Sequence, residues 1–368
     1  MRRGLSLAIG FYLFGRVLVS MTTVAIVGDE GVGVSTLAGR LGKKGTDSDI
    51  TFYNLVKGDS VFTFVDVKKY PESIKSLVQA VNMADIVIVC VPSSGLTART
   101  GECIVAMDLL EKQRGLIVLT RADESFPVAL TELADNVSTV VKGTSMEDWG
   151  IVPVSSTTFS GMDLLHERLA ELTVVAKEDR AKLIDGPARV IVDHFFTVKG
   201  VGCVILGHVD RGVVAKRDAM TVYPPEFGVE IRSIQCNDED VDKAPAGTRV
   251  GLCLKGGRAK DFDRGYLISA QESIGNKFEI ETRLSPFTSR LALRDTVHLF
   301  VGLQSSPATV ARIVVDGKET DKAPPGSTCT VTLTTARELA YRADDRFLIA
   351  QLNDPKQRLV AGGILTKG

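Results

Sequence analysis

The stretch VAIVGDEGVGVSTLAG, residues 24–39, determines how the rest of this sequence is interpreted. An apolar run ends at Gly28, a second glycine follows at Gly33, and Ser35 and Thr36 open a segment with helical spacing. This is the spacing of a phosphate-binding loop, G-x-x-x-x-G-K-[ST], in which the backbone cradles phosphates and a lysine reaches the outer ones. Val34 stands at the lysine position. The stretch therefore predicts a strand, a phosphate loop and a helix, in which valine replaces the lysine of the motif.

The composition is that of an ordinary globular protein with two or three domains. The chain has 368 residues, 44% of them hydrophobic and 24% charged, and a formal net charge of -1. Such a balance does not indicate a polycation, so we expect no DNA partner. The six cysteines and four histidines show no ligand spacing, which predicts no metal held by protein side chains. Scattered cysteines are typical of a reducing compartment, and we expect a cytoplasmic protein.

The first twenty residues, MRRGLSLAIGFYLFGRVLVS, combine two arginines with an apolar run. Arg16 interrupts the run, which is shorter than the roughly 20 apolar residues that a membrane-spanning helix needs. Met21 directly precedes the first strand. Residues 1–20 are therefore interpreted as an extension or a mis-called start, and no membrane association is expected.

Residues 21–175 alternate apolar strands with amphipathic helices. Continuous apolar strands alternating with helices predict a parallel sheet covered on both faces. The expected strands are the runs 24–28, 61–67, 84–92, 115–120 and 150–156. The charged residues 176–187, which end in Gly186-Pro187, are predicted to form a linker.

The remainder of the chain consists of short β-branched runs separated by Gly, Pro and Asp turns, a pattern typical of antiparallel β barrels. We expect two such domains, at 188–272 and 273–368. VDKAPAGTRVGLCL (241–254) and TDKAPPGSTCTVTL (320–333) share a D-K-A-P-x-G turn followed by a strand. This repetition indicates duplication of one β module, or convergence on one barrel type.

Polar residues follow three further strands of the first domain. Asp66 ends the run VFTFVD, Asp123 follows GLIVLT as part of Thr120-Arg121-Ala122-Asp123, and Ser155 follows GIVPV. These positions resemble the D-x-x-G, N-K-x-D and S-A-[LK] motifs of GTPases, and the resemblance implies that Asp66, Asp123 and Ser155 belong to the same nucleotide site as the loop. The candidate nucleotide-binding residues are Gly28, Gly33, Ser35, Thr36, Asp66, Asp123 and Ser155.

From Met21 onward the chain resembles the translational GTPases of the elongation factor Tu type, and among them the archaeal selenocysteine-specific elongation factors. DHFFTVKGVGCVILGHVDRGVVAKRDAMTVYPP is similar to the second domain of that family, and the segment from APPGSTCTVTL to the turn AGG is similar to the third. The resemblance implies a P-loop-type G domain followed by two β barrels. It also implies GTP and Mg²⁺ as cofactors and a monomer that binds tRNA or the ribosome.

Several residues depart from the family pattern. Beside Val34, Lys69 replaces the glycine of D-x-x-G, Thr120 replaces the asparagine of N-K-x-D, and Tyr70 stands where the family has the histidine that orients water. The segment before the next strand is too short for a full switch loop and offers only Thr46 and Thr51 as switch threonines. We expect weak or absent GTP binding and no intrinsic hydrolysis.

In the family, the second and third domains hold the aminoacyl end and acceptor arm of tRNA. The resemblance carries this role to His194, Lys199, Lys255, Arg258 and Lys260. The basic loop 255–260 is open to two interpretations, a phosphate contact or a solvated turn. Three functions stay open: a tRNA- or ribosome-binding factor with a degenerate GTP site, an active GTP-dependent elongation factor, and a protein-interaction scaffold.

Overall fold

The computed structural model describes residues 20–45, 50–57, 60–288, 290–354 and 357–366. All of the predicted extension 1–20 except Ser20, and the candidate switch residue Thr46, lie outside these ranges. Within them the chain forms an α/β domain and two β barrels. The predicted fold class is confirmed.

The first domain contains one sheet and five helices among the described residues. Its strands are β1 (Ser20–Gly28), β2 (Lys43–Lys44), β3 (Thr51–Lys57), β4 (Ser60–Asp66), β5 (Ile86–Pro92), β6 (Gly115–Thr120) and β7 (Gly150–Val154). Its helices are α1 (Val34–Leu41), α2 (Ile74–Met83), α3 (Ala98–Leu109), α4 (Pro127–Val141) and α5 (Met162–Ala181). A short 3-10 helix, Ala122–Glu124, follows β6.

The strand order is β2-β3-β4-β1-β5-β6-β7. The five strands from β4 to β7 in this order are parallel, as predicted, but β3 pairs antiparallel with β4 and β2 antiparallel with β3. The sheet is therefore mixed rather than purely parallel. The runs expected from the sequence do not include β2 and β3, because these short strands have mixed polarity; β3 directly precedes β4, so the two form an antiparallel hairpin without a crossover helix.

The two faces of the sheet bury alternate residues of each strand. Val24 and Ile26 of β1 pack with α1 and α5, whereas Ala25 and Val27 pack with α2, α3 and α4. This alternation explains why the strands are continuously apolar. It also leaves the carboxyl ends of β1, β4 and β6 open at one edge of the sheet.

The helix α5 continues to Ala181, so the first half of the predicted linker 176–187 is helical. Ala176 is buried, and Lys182 caps the helix. The amphipathic packing of this helix against the sheet extends further than the charged sequence suggested.

The second domain is a closed six-stranded barrel with one additional edge strand. The strand order is β11-β16-β8-β9-β15-β12-β13, and a pairing of β11 with β12 closes it. Its strands are β8 (Arg189–Val198), β9 (Gly202–Arg211), β10 (Val213–Ala215), β11 (Ala219–Tyr223), β12 (Phe227–Cys236), β13 (Glu239–Val241), β14 (Lys243–Pro245), β15 (Arg249–Lys255) and β16 (Leu267–Ser269).

The third domain repeats this plan. The order is β19-β24-β25-β17-β23-β20-β21, and a pairing of β19 with β20 closes the barrel. Its strands are β17 (Ser273–Leu284), β18 (Leu291–Ala292), β19 (Thr296–Val301), β20 (Gln304–Val315), β21 (Lys318–Glu319), β22 (Lys322–Ala323), β23 (Thr328–Tyr341), β24 (Arg346–Ala350) and β25 (Leu359–Leu365).

The two D-K-A-P-x-G segments occupy equivalent places in the two barrels. Each contributes a short strand to a two-stranded side sheet, β14 with β10 in one barrel and β22 with β18 in the other. The turns that follow β10 and β18 match as well, because Asp218 accepts a hydrogen bond from Ala215 N at 2.7 Å and Asp295 accepts one from Ala292 N at 2.9 Å. The predicted repetition of one β module is confirmed.

The first domain docks on the third through α2 and α3. Asn82 of α2 donates a hydrogen bond to the carbonyl of Gly302 at 2.7 Å. At the C-terminus of α3, Arg283 donates to the carboxylate of Asp108 at 2.8 Å and Arg346 donates to the carbonyl of Leu109 at 2.7 Å. Cations at a helix C-terminus interact favourably with its dipole, so domain 3 stabilises the end of α3.

The contact between α3 and β25 is close enough to require glycine. A Cβ atom at Gly362 would overlap the carbonyl oxygen of Leu109. We expect Gly362→Ala to lower the unfolding free energy by about 1–3 kcal/mol, the range for overpacked sites. Thermal unfolding with a calorimetric or fluorescence readout checks this.

Gly101→Ala is the matched control, because a Cβ there meets nothing within 4 Å. An alanine in a helix interior is favoured over glycine by roughly 0.5–1 kcal/mol, so this variant should be at least as stable as the wild type. Equal effects of the two substitutions would contradict the proposed close contact.

Candidate functional site

A cavity of about 770 Å³ opens at the carboxyl edge of the sheet in the first domain. It is formed by the loop after β1, the ends of β4 and β6, and the loop after β7. Six of the seven candidate nucleotide-binding residues line it: Gly28, Gly33, Ser35, Thr36, Asp66 and Asp123. A cavity of this size falls in the range of small-molecule sites.

The loop from Gly28 to Val34 has the backbone conformation that its glycines permit. Gly31 and Gly33 have φ of 73° and 96°, in the left-handed region, and Gly33 is the N-cap of α1. A Cβ at Gly28 would crowd Val32 and Cys90 at 2.9–3.0 Å. The glycines therefore let the loop turn tightly over β5 and direct the N-terminus of α1 at the cavity.

Val34, the first residue of α1, lines the cavity and packs against the core formed by α1, α5 and the sheet. Its side chain is half-buried. An apolar side chain at this position offers no hydrogen-bond donor and no charge to a ligand in the cavity.

Asp66 is the last residue of β4 and is 1% exposed. Thr51, the described candidate for a switch threonine, is buried in β3 directly opposite Asp66. Because Thr51 lies in β3, its backbone belongs to the antiparallel pairing of β3 with β4.

The end of β6 is tied to the glycine loop by two side chains. Thr120 donates a hydrogen bond to the carbonyl of Val32 at 2.7 Å, and the guanidinium of Arg121 donates to the carbonyl of Gly31. Arg121 also lies 3.8 Å from the carboxylate of Glu124. Asp123, on the 3-10 helix that follows, is exposed and lines the cavity.

Ser155 has a different position from the one its motif suggested. It is fully buried, and its hydroxyl accepts hydrogen bonds from the amides of Thr157 at 3.2 Å and Thr158 at 3.0 Å. It shapes the loop whose neighbouring residues Ser156 and Thr157 line the cavity. From the sequence alone, a serine that accepts hydrogen bonds from its own loop is hard to distinguish from a serine that binds a nucleotide.

Tyr70 lies at one wall of the cavity, but its hydroxyl is directed to the protein interior. It donates to the carbonyl of Arg99 and to the carboxylate of Glu102, each at 2.9 Å. Glu102 is 2% exposed and also pairs with Arg358 of domain 3, whose Nε lies 2.9 Å from Oε1. Arg358 donates in addition to the carbonyl of Pro71 at 2.6 Å. The loop that follows β4 is thereby fixed to both α3 and domain 3 through Tyr70 and Pro71.

Burial and ion pairing oppose each other at Glu102. Burial favours the neutral carboxyl, but the hydrogen bonds and charge of Arg358, with smaller contributions from Tyr70 and Arg99, hold the pKa of Glu102 below its usual range. Burial raises the pKa of Tyr70, and Cys103 and Glu102 add to this effect. At physiological pH, Glu102 is therefore ionised and Tyr70 is neutral.

The same helix also contacts the glycine loop. Thr97, the N-cap of α3, donates its hydroxyl proton to the carboxylate of Asp29 at 2.7 Å. Helix α3 thus joins the cavity at its N-terminus to domain 3 at Glu102 and at its C-terminus. The sequence interpretation did not find this role because the contacts of Thr97 and Glu102 are distant along the chain.

His194, predicted to contact RNA, lies between the first and second domains. Its Nδ1 is 2.5 Å from the carboxylate of Asp193, and its ring meets Phe52 of β3 edge-on at 6.0 Å between centroids. The guanidinium of Arg249 lies 4.2 Å above the centre of the same Phe52 ring and 2.9 Å from Asp193. His194 therefore packs in the interface between the first and second domains.

The other predicted RNA-binding residues are on the surface of the second domain. Lys199, Lys255, Arg258 and Lys260 are all exposed. Two of them have acidic neighbours: Lys255 lies 3.2 Å from Glu230, and Arg258 lies 3.0 Å from Asp261. Exposed pairs of this kind contribute little energy, so these cations stay available to a polyanion.

Two features are absent from the described ranges. Among these residues no three His, Cys, Asp or Glu side chains gather in a group that could hold a metal ion. None of the helices in the described part of the chain has the length and apolar character needed to span a bilayer.

Three domains in this order, with a glycine loop facing the carboxyl edge of the first sheet, define the architecture of a translational GTPase. No family model matches the chain. It is 31% identical over 330 residues to an uncharacterized protein of Methanocaldococcus jannaschii, covering 89% of this chain and 94% of that one. It is 26% identical to the selenocysteine-specific elongation factor of the same organism, over 86% of this chain and 70% of that protein.

Solved structures share the fold. Translation elongation factor SelB of Methanococcus maripaludis superimposes with a TM-score of 0.81 in complex with the GTP analogue GPPNHP and 0.82 in the apo form. Identity is 23% and 24%, and each comparison covers 94% of this chain and 79% of that one. The chain belongs, as a divergent member, to the translational GTPase family that includes elongation factor Tu and the selenocysteine-specific elongation factors.

The buried Glu102–Arg358 pair has a consequence for stability. In Glu102→Gln the carboxylate is lost while Arg358 stays buried, and removal of one partner of a buried pair costs about 3–5 kcal/mol. Because the folded-state pKa of Glu102 is lowered, its contribution is present above the unfolded pKa of roughly 4.3 and is lost as the pH falls further. The difference in unfolding free energy between the wild type and Glu102→Gln should therefore become smaller at acidic pH.

Chemical denaturation of both proteins at neutral and acidic pH measures this difference. Glu171→Gln is the control, because Glu171 lies on the exposed face of α5 and pairs only with Arg168 among the described contacts. It should change the unfolding free energy by less than about 0.5 kcal/mol. A Glu102→Gln variant as stable as this control would refute the role given to the pair.

Proposed function

We propose that this protein is a translation factor of elongation-factor architecture that binds tRNA or the ribosome and does not hydrolyse GTP. The observation that carries the proposal is the position of Tyr70. Its hydroxyl is directed to the protein interior, where it donates to Glu102 and to the carbonyl of Arg99, so its proton is not available to a water in the cavity. Hydrolysis by general acid–base action needs such a group within hydrogen-bond reach.

The remainder of the cavity supports the same proposal. Val34 provides no charge for the transferred phosphoryl group, and phosphoryl transfer depends almost entirely on positioned charge. The donors present fit a nucleotide only in part. By the family resemblance, Asp123 would meet a base, the glycine loop would hold inner phosphates, and Ser35 and Asp66 would hold the Mg²⁺ that GTP brings, and all of them line the cavity.

Binding to tRNA or the ribosome is supported by the relatives and by the second domain. Proteins similar to this chain are named selenocysteine-specific elongation factor and elongation factor 1-alpha. The exposed cations Lys199, Lys255, Arg258 and Lys260 lie on a barrel that contacts the first domain through Arg249 and Phe52. Exposed cations on a folded barrel suit contacts with backbone phosphates.

Retention of labelled tRNA and of ribosomal subunits by the full chain tests RNA binding. We expect retention at moderate salt without added nucleotide, and a weaker complex for the triple variant K199A/K255A/K260A. Each lost phosphate contact should reduce the slope of log affinity against log salt concentration by about 0.7–0.9. The control K142A/K182A/K318A removes the same charge from exposed positions elsewhere.

Equal weakening by both triple variants would show that only net charge matters. No retention of tRNA or of either subunit by the wild type would favour the scaffold alternative.

A second experiment addresses hydrolysis. Phosphate release from GTP by the purified chain, with and without ribosomes, should equal the blank, because Tyr70 directs its hydroxyl away from the cavity and Val34 carries no charge. Release that depends on Asp66, and is therefore lost in Asp66→Ala, would instead support the active elongation factor.

A further inference from the structure

The third domain exposes a turn whose equivalent in the second domain is covered by the first domain. In the second domain, Gly247 and Thr248 of the D-K-A-P-x-G segment are buried. A Cβ atom at Gly247 would overlap the side chain of Arg180, at the end of α5. In the third domain, Pro325 and Gly326 of the repeated segment are exposed. One copy of the turn is therefore a domain interface, and the other is free surface.

The two turns have the same backbone, so the difference lies in what surrounds them. Ala244 and Ala323 occupy the same position in the two side sheets, and both are fully buried. Gly247 and Gly326 each follow three residues later in the sequence. Both glycines have left-handed φ, 85° and 74°. The third domain therefore repeats the docking element of the second without the domain that covers it.

An apolar patch surrounds the free turn. An ideal Cβ atom at Gly326 would lie 3.8 Å from the Cβ of Pro286, in van der Waals contact. Phe287 is the next residue, and 70% of its surface is exposed. Pro324 and Pro325 are exposed on the turn itself. We call Pro286, Phe287, Pro324 and Pro325 the proline–phenylalanine patch. Single exposed apolar side chains are ordinary, but contiguous ones mark interaction surfaces.

Two cations lie beside this patch. Arg290 and Lys322 directly precede Leu291 and Ala323, a pair of the side sheet that is fully buried. Because side chains alternate along a strand, the two cations face outward, and both are exposed. Among the described contacts neither has a carboxylate at ion-pair distance. A partner of the patch therefore meets two unneutralised positive charges.

The covered and the free copy differ in the origin of their charge. Val213, half-buried, stands in the covered side sheet where the free one has Arg290. At the covered turn Arg180 is supplied by the covering helix. At the free turn the barrel itself carries the additional cation. Complementary charge across an interface favours the correct partner and rejects like charge, so the covering element that fits the third domain is acidic.

We propose that this surface of the third domain docks an acidic peptide segment of a partner protein. An aromatic or aliphatic side chain of the segment packs on Phe287, and carboxylates beside it pair with Arg290 and Lys322. Buried aromatic contacts carry most of the energy of such interfaces, and the charges at the rim set orientation. The inference goes beyond the proposed function, because it uses neither the residues assigned to RNA nor the cavity of the first domain.

Selection from a random peptide library displayed on phage, with the full chain immobilised, tests the inference. The enriched peptides should combine Asp or Glu with an aromatic or aliphatic residue. A synthetic peptide of the enriched sequence should bind the full chain in solution, with an affinity that falls as salt is raised, because salt screens exposed charges. A selection that enriches no sequence, or only sequences without an excess of acidic residues, would overturn the inference.

Phe287→Ser tests whether the selected peptide binds at the patch. The substitution should weaken binding by about tenfold or more, which is the value of burying a large apolar side chain. Phe126→Ser is the matched control, because Phe126 lies on the first domain and is 82% exposed. It should bind the peptide as the wild type does. Equal binding by the two variants would place the peptide elsewhere and refute the proposal.

The double variant R290E/K322E tests the charges. It should also weaken the peptide by about tenfold or more, whereas the control K142E/K277E, at exposed positions elsewhere, should leave binding unchanged. Thermal unfolding checks that each variant is folded. An R290E/K322E variant that keeps the peptide and loses tRNA would make this surface an RNA contact instead.

Sedimentation of the wild type and Phe287→Ser distinguishes a second copy of the chain as the occupant. We expect the same sedimentation for both, and association of the wild type that Phe287→Ser abolishes would contradict the proposal. The result is separate from RNA retention. A chain that binds the acidic peptide but retains neither tRNA nor ribosomal subunits refutes only the proposed function.

Discussion

The buried ion pair between Glu102 and Arg358 is the interaction on which the arrangement of this molecule depends. A carboxylate that is 2% exposed is tolerated only when it is paired and hydrogen-bonded, and here domain 3 supplies the partner. The pair fixes α3 against domain 3, and Tyr70 and Pro71 join it from the loop after β4. Cavity and interface therefore share one set of polar contacts.

This arrangement relates the replaced residues of the cavity to each other. Tyr70 is a better partner for a buried carboxylate than for solvent water, because its hydroxyl donates to Glu102 at 2.9 Å in a region of low dielectric. Val34 gives up a charge and gains contact with the core under α1. Both side chains therefore make contacts within the protein, Tyr70 with Glu102 and Val34 with the core under α1.

Much of the fold could be predicted from the sequence. The strand–loop–helix at 24–39, the strand runs and the repeated D-K-A-P-x-G turns predicted both the domain order and the duplicated barrels, since periodicity and turn chemistry are local properties. The hairpin of β2 and β3 was missed, because short strands with mixed polarity give no clear period. The extent of α5 beyond residue 175 was missed as well, since packing decides where a charged helix ends.

The sequence by itself determined which residue types reach the carboxyl edge of the sheet, because strand ends and glycine positions are encoded locally. Only the tertiary structure decided which partners these residues and the other candidate site residues take. Ser155 supports its own loop, His194 packs against Phe52, and Tyr70 binds Glu102. The physical reason is that a polar side chain takes the partner that burial brings to it, and for Glu102 that partner, Arg358, is 256 residues away along the chain.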